Sequence, residues 1–389
     1  MRTLALVSLL LLSAPGCGAP RQSAIPIEPR SKLPLQGASL PGTPQSSPPP
    51  PGERAPVDPQ IAVGSSYACG LSSSGRVWCW GVGALGQLAD GAAISSPRPP
   101  VEVPLEGVRQ IAAGPHHACA LLDEGEVHCW GSNAQGQLGL TSRDPHPHPP
   151  ERLPLPVPAR ALADTPLCAI SIDDEVYCWG DAVPAPLRGE RGVVHLSALP
   201  PIRSISVSNG HACAISFEAD VLCWSGDEIS RIPLPGLLTQ VAAQAHFGCA
   251  LGTQGQAFCW GDLPYKSSDP PALPTVVRGL TEATRIRVGD RLGCALRKEG
   301  TVACWGDLLR GGPWSWALDR ILPSGAEATE VPGVAGAIDL ALGDGFSCAL
   351  RRDGMVLCWG SNEHGILSAS GQGAPEVLAP RVVPGIILR

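Results

Sequence analysis

Short apolar runs recur seven times along this chain, and every recurrence has the same internal spacing. In each copy, Leu or Ile stands two residues after a cysteine, and Val stands eight residues after it except in the fifth copy, which has Ala257. A second cysteine follows the first by ten residues, and a tryptophan comes directly after it. Apolar positions that alternate with a period of two are typical of β-strands, so each copy predicts a pair of short strands.

The spacing within one copy predicts a β-hairpin. If the two cysteines face each other across antiparallel strands, the residues two and eight positions after the first cysteine also face each other on the same side. The connection then spans three residues, and the third residue of such a loop adopts the left-handed conformation that glycine favours. Glycine stands there in five copies, as Gly75 does, whereas Asp174 and Ala219 replace it in the third and fourth. We therefore expect these two turns to be less regular.

The cysteines predict one disulfide in each hairpin. Fourteen of the fifteen form the pairs Cys69–Cys79, Cys119–Cys129, Cys168–Cys178, Cys213–Cys223, Cys249–Cys259, Cys294–Cys304 and Cys348–Cys358. Zinc sites bring four ligands together and favour shorter Cys-x₂₋₄-Cys spacings, and no histidine recurs at a fixed place beside these pairs. We therefore expect disulfides and no metal site. Cysteines used this regularly indicate an oxidising compartment.

Nine of the ten tryptophans fall into two groups. Those that follow the second cysteines are Trp80, Trp130, Trp179, Trp224, Trp260, Trp305 and Trp359. Their fixed place on the face opposite the cysteines favours packing between neighbouring repeats over a stacking surface for sugars or bases. Trp314 and Trp316 lie outside the pattern, in the longest stretch between cysteine pairs. They are candidate contacts for a partner, or they pack onto the body formed by the repeats.

The length of the repeats predicts a propeller. Intervals of 50, 49, 45, 36, 45 and 54 residues separate the first cysteines, and repeats of this size with several short strands are typical of propeller blades. We expect an all-β, seven-bladed β-propeller over residues 60–389, with one hairpin disulfide in each blade. Residues 382–389 resemble residues 101–109, which precede the second repeat, whereas the first repeat begins at Ile61 without such a segment. The C-terminal strand is therefore expected to complete the first blade and close the ring, which removes two open sheet edges.

The second repeat resembles a known family. Its sequence contains, in order, His117, Gly125-x-Val127, Trp130-Gly131 and Gly136-Gln137-Leu138-Gly139. This order of elements resembles the regulator of chromosome condensation repeat. The resemblance covers about residues 60–389 and implies a seven-bladed β-propeller. The added cysteine pair is similar to a secreted bacterial branch of the family. Repeats three to six lack the Gly-Gln-Leu-Gly tail, and Ser225 replaces the glycine after the fourth tryptophan.

Composition and charge narrow the classes of function. The 46 glycines and 42 prolines suit short strands and turns rather than long helices. A net charge of −7 without any basic run does not indicate nucleic-acid binding. The sequence contains no nucleophile motif such as Gly-x-Ser-x-Gly and no defined acid/base pair, so we expect no catalytic residues and no cofactor.

The first residues predict export and a lipid anchor. Arg2 precedes an apolar run, residues 4–12, which is too short to span a bilayer and resembles a signal peptide. Ser13-Ala14-Pro15-Gly16-Cys17 resembles a bacterial lipobox, and Cys17 is the one cysteine outside the pairs. We expect residues 1–17 to be a lipoprotein signal peptide that ends at lipidated Cys17, with an ordinary secretory cleavage as the alternative. Residues 18–59 are rich in Pro, Ser, Gly and Gln and predict a disordered tether.

These features together predict a binding scaffold. We expect a monomeric, non-enzymatic propeller that is lipid-anchored to a bacterial cell envelope, at the outer membrane or surface, and presents its loops to a protein partner. Secreted seven-bladed relatives that block β-lactamases suggest a second interpretation, an inhibitor of a secreted or periplasmic enzyme. A third is an enzyme acting on a glycan, which needs carboxylates that converge at the centre of the ring. The resemblance also implies guanine nucleotide exchange, but the signal sequence, the disulfides and the acidic charge argue against that activity.

Overall fold

A computed structural model describes residues 56–144, 146–183, 192–208, 210–225, 228–244, 247–261, 272–289, 292–306, 325–367 and 376–389. They all fall in one compact unit, Pro51–Arg389. The predicted signal peptide, Cys17, most of the predicted tether, Trp314 and Trp316 lie outside the described residues. In the described ranges, no helix is long and apolar enough to cross a bilayer.

The described strands form seven antiparallel sheets, each made of four strands that follow one another in the chain. Blade 1 contains β1 (Gln60–Val63), β2 (Tyr67–Leu71), β3 (Val77–Gly83) and β4 (Ile94–Glu102). Blade 2 contains β5 (Val108–Ala113), β6 (His117–Leu122), β7 (Val127–Gly131) and β8 (His148–Arg152). Blade 3 contains β9 (Ala159–Leu162), β10 (Cys168–Ser171), β11 (Val176–Cys178) and β12 (Val194–His195), with a 3₁₀ turn at Gly180–Ala182.

The remaining four blades repeat this arrangement. Blade 4 contains β13 (Ile202–Ser208), β14 (His211–Ser216), β15 (Val221–Ser225) and β16 (Glu228–Ile232). Blade 5 contains β17 (Leu238–Gln244), β18 (Phe247–Gly252), β19 (Ala257–Gly261) and β20 (Ala272–Val276). Blade 6 contains β21 (Ala283–Val288), β22 (Leu292–Arg297), β23 (Val302–Gly306) and β24 (Gly325–Glu330). Blade 7 contains β25 (Ala337–Leu342), β26 (Phe346–Arg351), β27 (Met355–Ser361) and β28 (Glu376–Ile387). The predicted seven-bladed, all-β propeller is confirmed.

The predicted hairpins form between the second and third strands of every blade. In blade 1, Cys69 pairs with Cys79 and Leu71 with Val77, and the same register recurs in the other six. All seven cysteine pairs are disulfide-bonded, with Cα atoms 4.0–4.1 Å apart. The expected irregularity of the third and fourth turns is wrong. Asp174 and Ala219 take the same left-handed conformation as the glycines, both with φ of 66°, and thus keep the turn geometry.

The interior of the ring consists of apolar layers between neighbouring blades. The disulfide face of one blade packs against the tryptophan face of the next; thus Cys69 and Leu71 of blade 1 share a buried cluster with Trp130 of blade 2. The same relation places Trp80 against blade 7 and Trp359 against blade 6. All seven repeat tryptophans are buried. Their predicted role in packing between repeats is confirmed.

The Gly-Gln-Leu-Gly tail of blade 2 and the corresponding residues of blades 1 and 7 contact the tryptophan of the following blade. The indole N–H of Trp130 donates to the carbonyl of Gln87 at 2.9 Å, and that of Trp179 donates to Gln137 at 2.8 Å. In the same way, Trp80 donates to the carbonyl of Ile366 at 3.0 Å. Each of these segments therefore accepts a hydrogen bond from the tryptophan of the following blade, and this bond joins the two blades.

The C-terminal strand closes the ring, but it belongs to blade 7. β28 pairs with β27, so the expectation that this strand completes the first blade is wrong. Beyond the strand, the backbone N–H of Leu388 donates to the carbonyl of Gly354 at 2.9 Å. Val108 makes the equivalent bond to Gly75 as it leads into β5. The chain end thus occupies the place in front of β1 that a linker occupies in front of other inner strands.

Candidate functional site

The innermost strands of the blades surround a central cavity of about 540 Å³. Most of its lining is backbone and small side chains, because alanine and glycine recur in the inner strands. The polar side chains that face it are Gln60, Gln110, Asp164, Thr165, Ser206, Ser208, Gln244, Arg285, Arg287, Asp339 and Asp344. This cavity is the first candidate site, since it gathers charged groups in an enclosed space.

A recurring polar position on the inner strands ties neighbouring blades together, except between blades 3 and 4. The side-chain amide of Gln60 donates to the carbonyl of Arg109 at 3.0 Å and accepts from the N–H of Ile111 at 3.1 Å. Gln110 makes the same two bonds to Leu162 of blade 3, at 3.0 and 2.9 Å. A glutamine side chain at this position therefore donates one hydrogen bond to the backbone of the next blade and accepts another from it, as a neighbouring β-strand would.

Blades 4 and 5 use the same position, with a serine and a third glutamine. Gln240 exchanges two bonds with Ile286 of blade 6, at 3.0 and 2.9 Å. Ser204 of blade 4 accepts from the N–H of Val241 at 3.3 Å. In blade 3 the position holds Ala161, which has no polar side-chain group for such a bond.

Asp339 of blade 7 joins this blade to blade 1. It accepts from the N–H of Ile61 in blade 1 at 3.0 Å through Oδ2, and from the N–H of Leu340 at 2.8 Å through Oδ1. The guanidinium of Arg285 in blade 6 donates to Oδ1 as well. Because the Asp339 side chain is only 3% exposed and both oxygens accept bonds, this carboxylate acts as a clasp for the ring.

Asp164 and Arg287 depart from the repeat in a different way. Asp164 stands where the other inner strands have Val63, Ala113, Val207, Ala243, Val288 and Leu342. Arg287 stands opposite a cysteine, where four other strands have alanine. No packing requirement of the repeat explains either charge, so these two residues are the part of the cavity best suited to contact a ligand.

The environment of Asp164 favours its protonated form. Burial within the ring raises the pKa of Asp164, while the charge of Arg287 and a hydrogen bond from Ser206 oppose that rise. The Ser206 hydroxyl donates to Oδ2 of Asp164 at 3.3 Å and accepts from the N–H of Ala243 at 2.9 Å. Arg287 lies 3.9 Å from Oδ1 of Asp339. Together these groups present one hydrogen-bonding carboxyl and one guanidinium to a small polar molecule.

The hairpin turns form a second candidate surface. The N–H of the first turn residue donates to the carbonyl of the linker in front of the inner strand: Ile172 to Pro158, Phe217 to Pro201 and Thr253 to Leu237. Turns and linkers therefore lie on one face of the ring. On this face Ile172, Phe217 and Leu237 are 58%, 49% and 65% exposed. The first turn residue is polar or charged in the other five blades: Ser73, Asp123, Thr253, Lys298 and Arg352.

Two arginines frame the exposed ring of Phe217. The guanidinium carbon of Arg203 lies 5.2 Å from the ring centroid and that of Arg160 lies 6.0 Å from it. Arg160 is held in place by an ion pair with Asp174 of the neighbouring turn, at 2.7 Å. We call Ile172, Phe217 and Leu237, on blades 3 to 5, the apolar tips. They offer side chains that a protein partner can bury.

The predicted disulfides are in place, whereas Cys17, Trp314 and Trp316 lie outside the described residues and stay predictions. The recurring polar position of the inner strands and the apolar tips were not among the residues predicted from the sequence. A signal for both was present: a polar residue precedes the buried apolar residue of most inner strands, and two hairpin turns begin with Ile172 and Phe217 instead of polar residues.

Comparison with known proteins identifies the repeats. Two models described as the regulator of chromosome condensation (RCC1) repeat match the chain, one over residues 60–87, 108–137 and 337–366, the other over residues 74–121 and 124–169. No curated protein sequence matches it.

The chain is similar to several solved structures at low sequence identity. The CRINKLY WD40 ectodomain of the Arabidopsis thaliana receptor kinase ACR4 is 21% identical, with 85% of this chain and 98% of that chain covered and a TM-score of 0.50. Prp20p from Saccharomyces cerevisiae is 17% identical, with 84% of this chain and 76% of that chain covered and a TM-score of 0.49. Its structure was described together with its binding to Gsp1p and histones. Human WBSCR16 is 18% identical over 83% and 81%, with a TM-score of 0.46. The repeat matches, together with the seven-bladed ring, show that the chain contains repeats of the regulator of chromosome condensation family.

Proposed function

We propose that the protein is a non-enzymatic scaffold that binds a protein partner through the loops on one face of its propeller. The observation that carries the proposal is the exposure of Ile172, Phe217 and Leu237 on that face of three consecutive blades. Apolar side chains at the tips of turns do not stabilise the fold they belong to, and they gain most when a partner removes them from water.

The construction of the ring supports this function. The hairpins that carry Ile172 and Phe217 are closed by disulfides and bonded to the linkers beside them, and the linker residue Leu237 accepts a hydrogen bond from the turn residue Thr253. Little conformational entropy is therefore lost when a partner binds, which favours affinity from a small contact area. The arginines around Phe217 add hydrogen-bond donors at the edge of the apolar contact.

The proposal includes a place in the cell. We infer that Cys17 is the lipidated first residue of the mature protein and that residues 18–59 tether the propeller to a bacterial cell envelope, at the outer membrane or surface. The support is the lipobox-like sequence before Cys17 and the pairing of all other cysteines within the blades. The anchored protein is monomeric in this proposal and does not bind nucleic acid. An enzyme of the same compartment is one partner of this kind, in which case the protein is an inhibitor.

A capture experiment tests the proposal. The anchored protein is crosslinked in its own envelope and recovered, together with a variant that carries Ile172→Ser, Phe217→Ser and Leu237→Ser. A matched control carries Ser73→Ala, Lys298→Ala and Arg352→Ala, which change, in blades 1, 6 and 7, the turn position that Ile172 and Phe217 occupy in blades 3 and 4. We expect the wild type and the control to recover the same protein, and the apolar-tip variant to recover at least tenfold less. Equal recovery by all three would contradict the proposal.

One observation favours a second candidate, an enzyme acting on a glycan. The central cavity holds Asp164 together with Arg287, and burial raises the pKa of Asp164, which suits a carboxyl that donates a proton. Glycoside cleavage usually needs two carboxyl groups, and Asp339 is engaged as the ring clasp. Turnover of a glycan by the purified propeller that is lost in Asp164→Asn would establish this activity in place of the scaffold.

A further inference from the structure

Blade 4 brings an imidazole to the sulfur atoms of its disulfide. His211 and Cys213 lie two residues apart on β14 and face the same side, and Cys223 of β15 pairs directly with Cys213. Nε2 of His211 is 3.4 Å from Sγ of Cys213. The three potential ligand atoms of His211, Cys213 and Cys223 all lie within 4.8 Å of one another. Nitrogen and sulfur atoms that lie this close together can bind one zinc ion.

Blade 2 has the same three residue types without this arrangement. His117 stands two residues before Cys119, but its Nε2 lies 3.4 Å from the carbonyl of Pro166 in blade 3. The imidazole is buried against that blade, and burial lowers the pKa of His117 to about 4. The remaining blades have Tyr67, Pro166, Phe247, Leu292 and Phe346 at this position. Among the described hairpins, an imidazole therefore meets a disulfide in blade 4 alone.

The disulfide of blade 4 is also the most open to attack. Cys223 is 5% exposed, and no other paired cysteine exceeds 2%. Exposed Ser225 follows Trp224, where the other six blades have glycine. The turn uses Ala219 at φ of 66°, which strains a residue with a side chain. Within the described part of the chain, the buried indole nitrogen of Trp224 has no hydrogen-bond partner. This hairpin is therefore held less firmly than those of blades 2 and 3.

We propose that a dithiol reductant opens the Cys213–Cys223 bridge before the other six, and that the reduced hairpin binds one zinc ion through His211, Cys213 and Cys223. The dithiol transfers two electrons and two protons: its own sulfurs join in a disulfide, and the cysteines become thiols. Zinc then displaces the two thiol protons and bonds to both thiolates and to the neutral imidazole, with water as fourth ligand. An N–H at Nε2 of His211, 3.4 Å from Sγ of Cys213, can donate a hydrogen bond to the departing thiolate, which directs the reductant to this bridge.

The first test follows the order of reduction in the full-length protein. Increasing concentrations of dithiothreitol are applied, free thiols are alkylated, and the labelled peptides are identified by mass spectrometry. We expect Cys213 and Cys223 to be labelled at a dithiothreitol concentration at least tenfold below that required for the other pairs. Opening of this bridge together with the others, or after them, would overturn the proposal.

The second test measures the metal. The selectively reduced protein receives Zn²⁺, and native mass spectrometry counts the bound ions. We expect one zinc per chain and protection of Cys213 and Cys223 from alkylation. His211→Phe introduces the residue that blades 5 and 7 already have at this position, so it preserves packing, and it is expected to abolish the one-zinc species. The matched control His117→Phe is expected to bind zinc as the wild type does. Undiminished binding by His211→Phe, or no zinc binding by the wild type, would refute the assigned site.

Discussion

Leu388 fills the space beside Gly70 in which an alanine side chain would stand. A methyl group added to Gly70 would lie 2.3 Å from Cδ1 of Leu388 and 2.9 Å from its Cδ2. The residue after the first paired cysteine is alanine in the other six blades: Ala120, Ala169, Ala214, Ala250, Ala295 and Ala349. The missing methyl group in blade 1 therefore accommodates the end of the chain, and the two residues join the first blade of the ring to the last.

The first prediction concerns this pair. Gly70→Ala is expected to lower the free energy of unfolding by about 1–3 kcal/mol, because the new methyl group must displace a buried leucine. Leu388→Ala is expected to cost about 2–5 kcal/mol through the cavity it leaves. In the double variant the methyl group fills part of that cavity, so the combined cost should fall short of the sum by about 1 kcal/mol.

Urea denaturation of the four proteins in this cycle measures the coupling. Ala214→Gly, which changes the same position in blade 4, combined with Leu388→Ala serves as the control and should be additive. Additive costs for Gly70→Ala and Leu388→Ala would show that the chain end does not close the ring through this contact.

The second prediction concerns the clasp at Asp339. Asp339→Ala removes the acceptor for the N–H of Ile61 and the partner of Arg285, whose side chain is 38% exposed, so it is expected to cost about 1–3 kcal/mol. Hydrogen exchange at the Ile61 amide should accelerate more than exchange in blades 3 and 4, because the seam between blades 7 and 1 opens first. Asp344→Asn, which changes another carboxylate of the cavity, is the control. Equal effects of the two variants would contradict the clasp.

The repeat made the hairpins, the disulfides and the buried tryptophans predictable, because the contacts within a hairpin join residues about ten positions apart. The blade to which the C-terminal strand belongs could not be predicted in the same way. Residues 382–389 resemble residues 101–109, but that resemblance equates β28 with β4, the outer strand of its own blade, rather than with a strand missing from blade 1. Pattern alone does not say which sheet a strand joins.

The candidate sites were harder to predict, for a physical reason. Gln60 bonds to Ile111 and Gln110 to Leu162, so each partner lies about one repeat away and on another sheet. Asp164 was predictable only as a departure from the repeat, since a single aspartate within an apolar strand does not reveal that it faces a cavity with Arg287. Ile172 and Phe217 each begin a predicted hairpin turn, so their exposure to solvent could be inferred from the sequence. That they lie on the same face of the ring could not.

The third prediction compares two tryptophans. Trp130→Phe removes the indole N–H that bonds to the Gln87 carbonyl at 2.9 Å, whereas Trp224→Phe removes a nitrogen without a partner among the described residues. Both changes remove similar apolar area. We therefore expect Trp130→Phe to cost about 1–2 kcal/mol more than Trp224→Phe, the value of a buried hydrogen bond whose acceptor stays behind. Chemical denaturation of both variants measures the difference, and equal costs would exclude a role of the tail in joining blades 1 and 2.

The last prediction concerns acid stability and His117. Burial lowers the pKa of His117 from its usual 6.5 to about 4, so the folded protein leaves this imidazole neutral while the unfolded chain takes up a proton. Above pH 6.5 neither state binds the proton, and stability is unaffected. As the pH falls from 6.5 towards 4, the free energy of unfolding should decrease by about 1.4 kcal/mol per pH unit, or about 3 kcal/mol in total. In His117→Phe, whose ring can pack on Gly114 as Phe346 packs on Gly343, this part of the pH dependence should vanish. Unfolding in urea at pH 7.5, 5.5 and 4.5 measures the slopes of both proteins; parallel slopes would mean that His117 is protonated in the folded ring and is not the group that limits stability in acid.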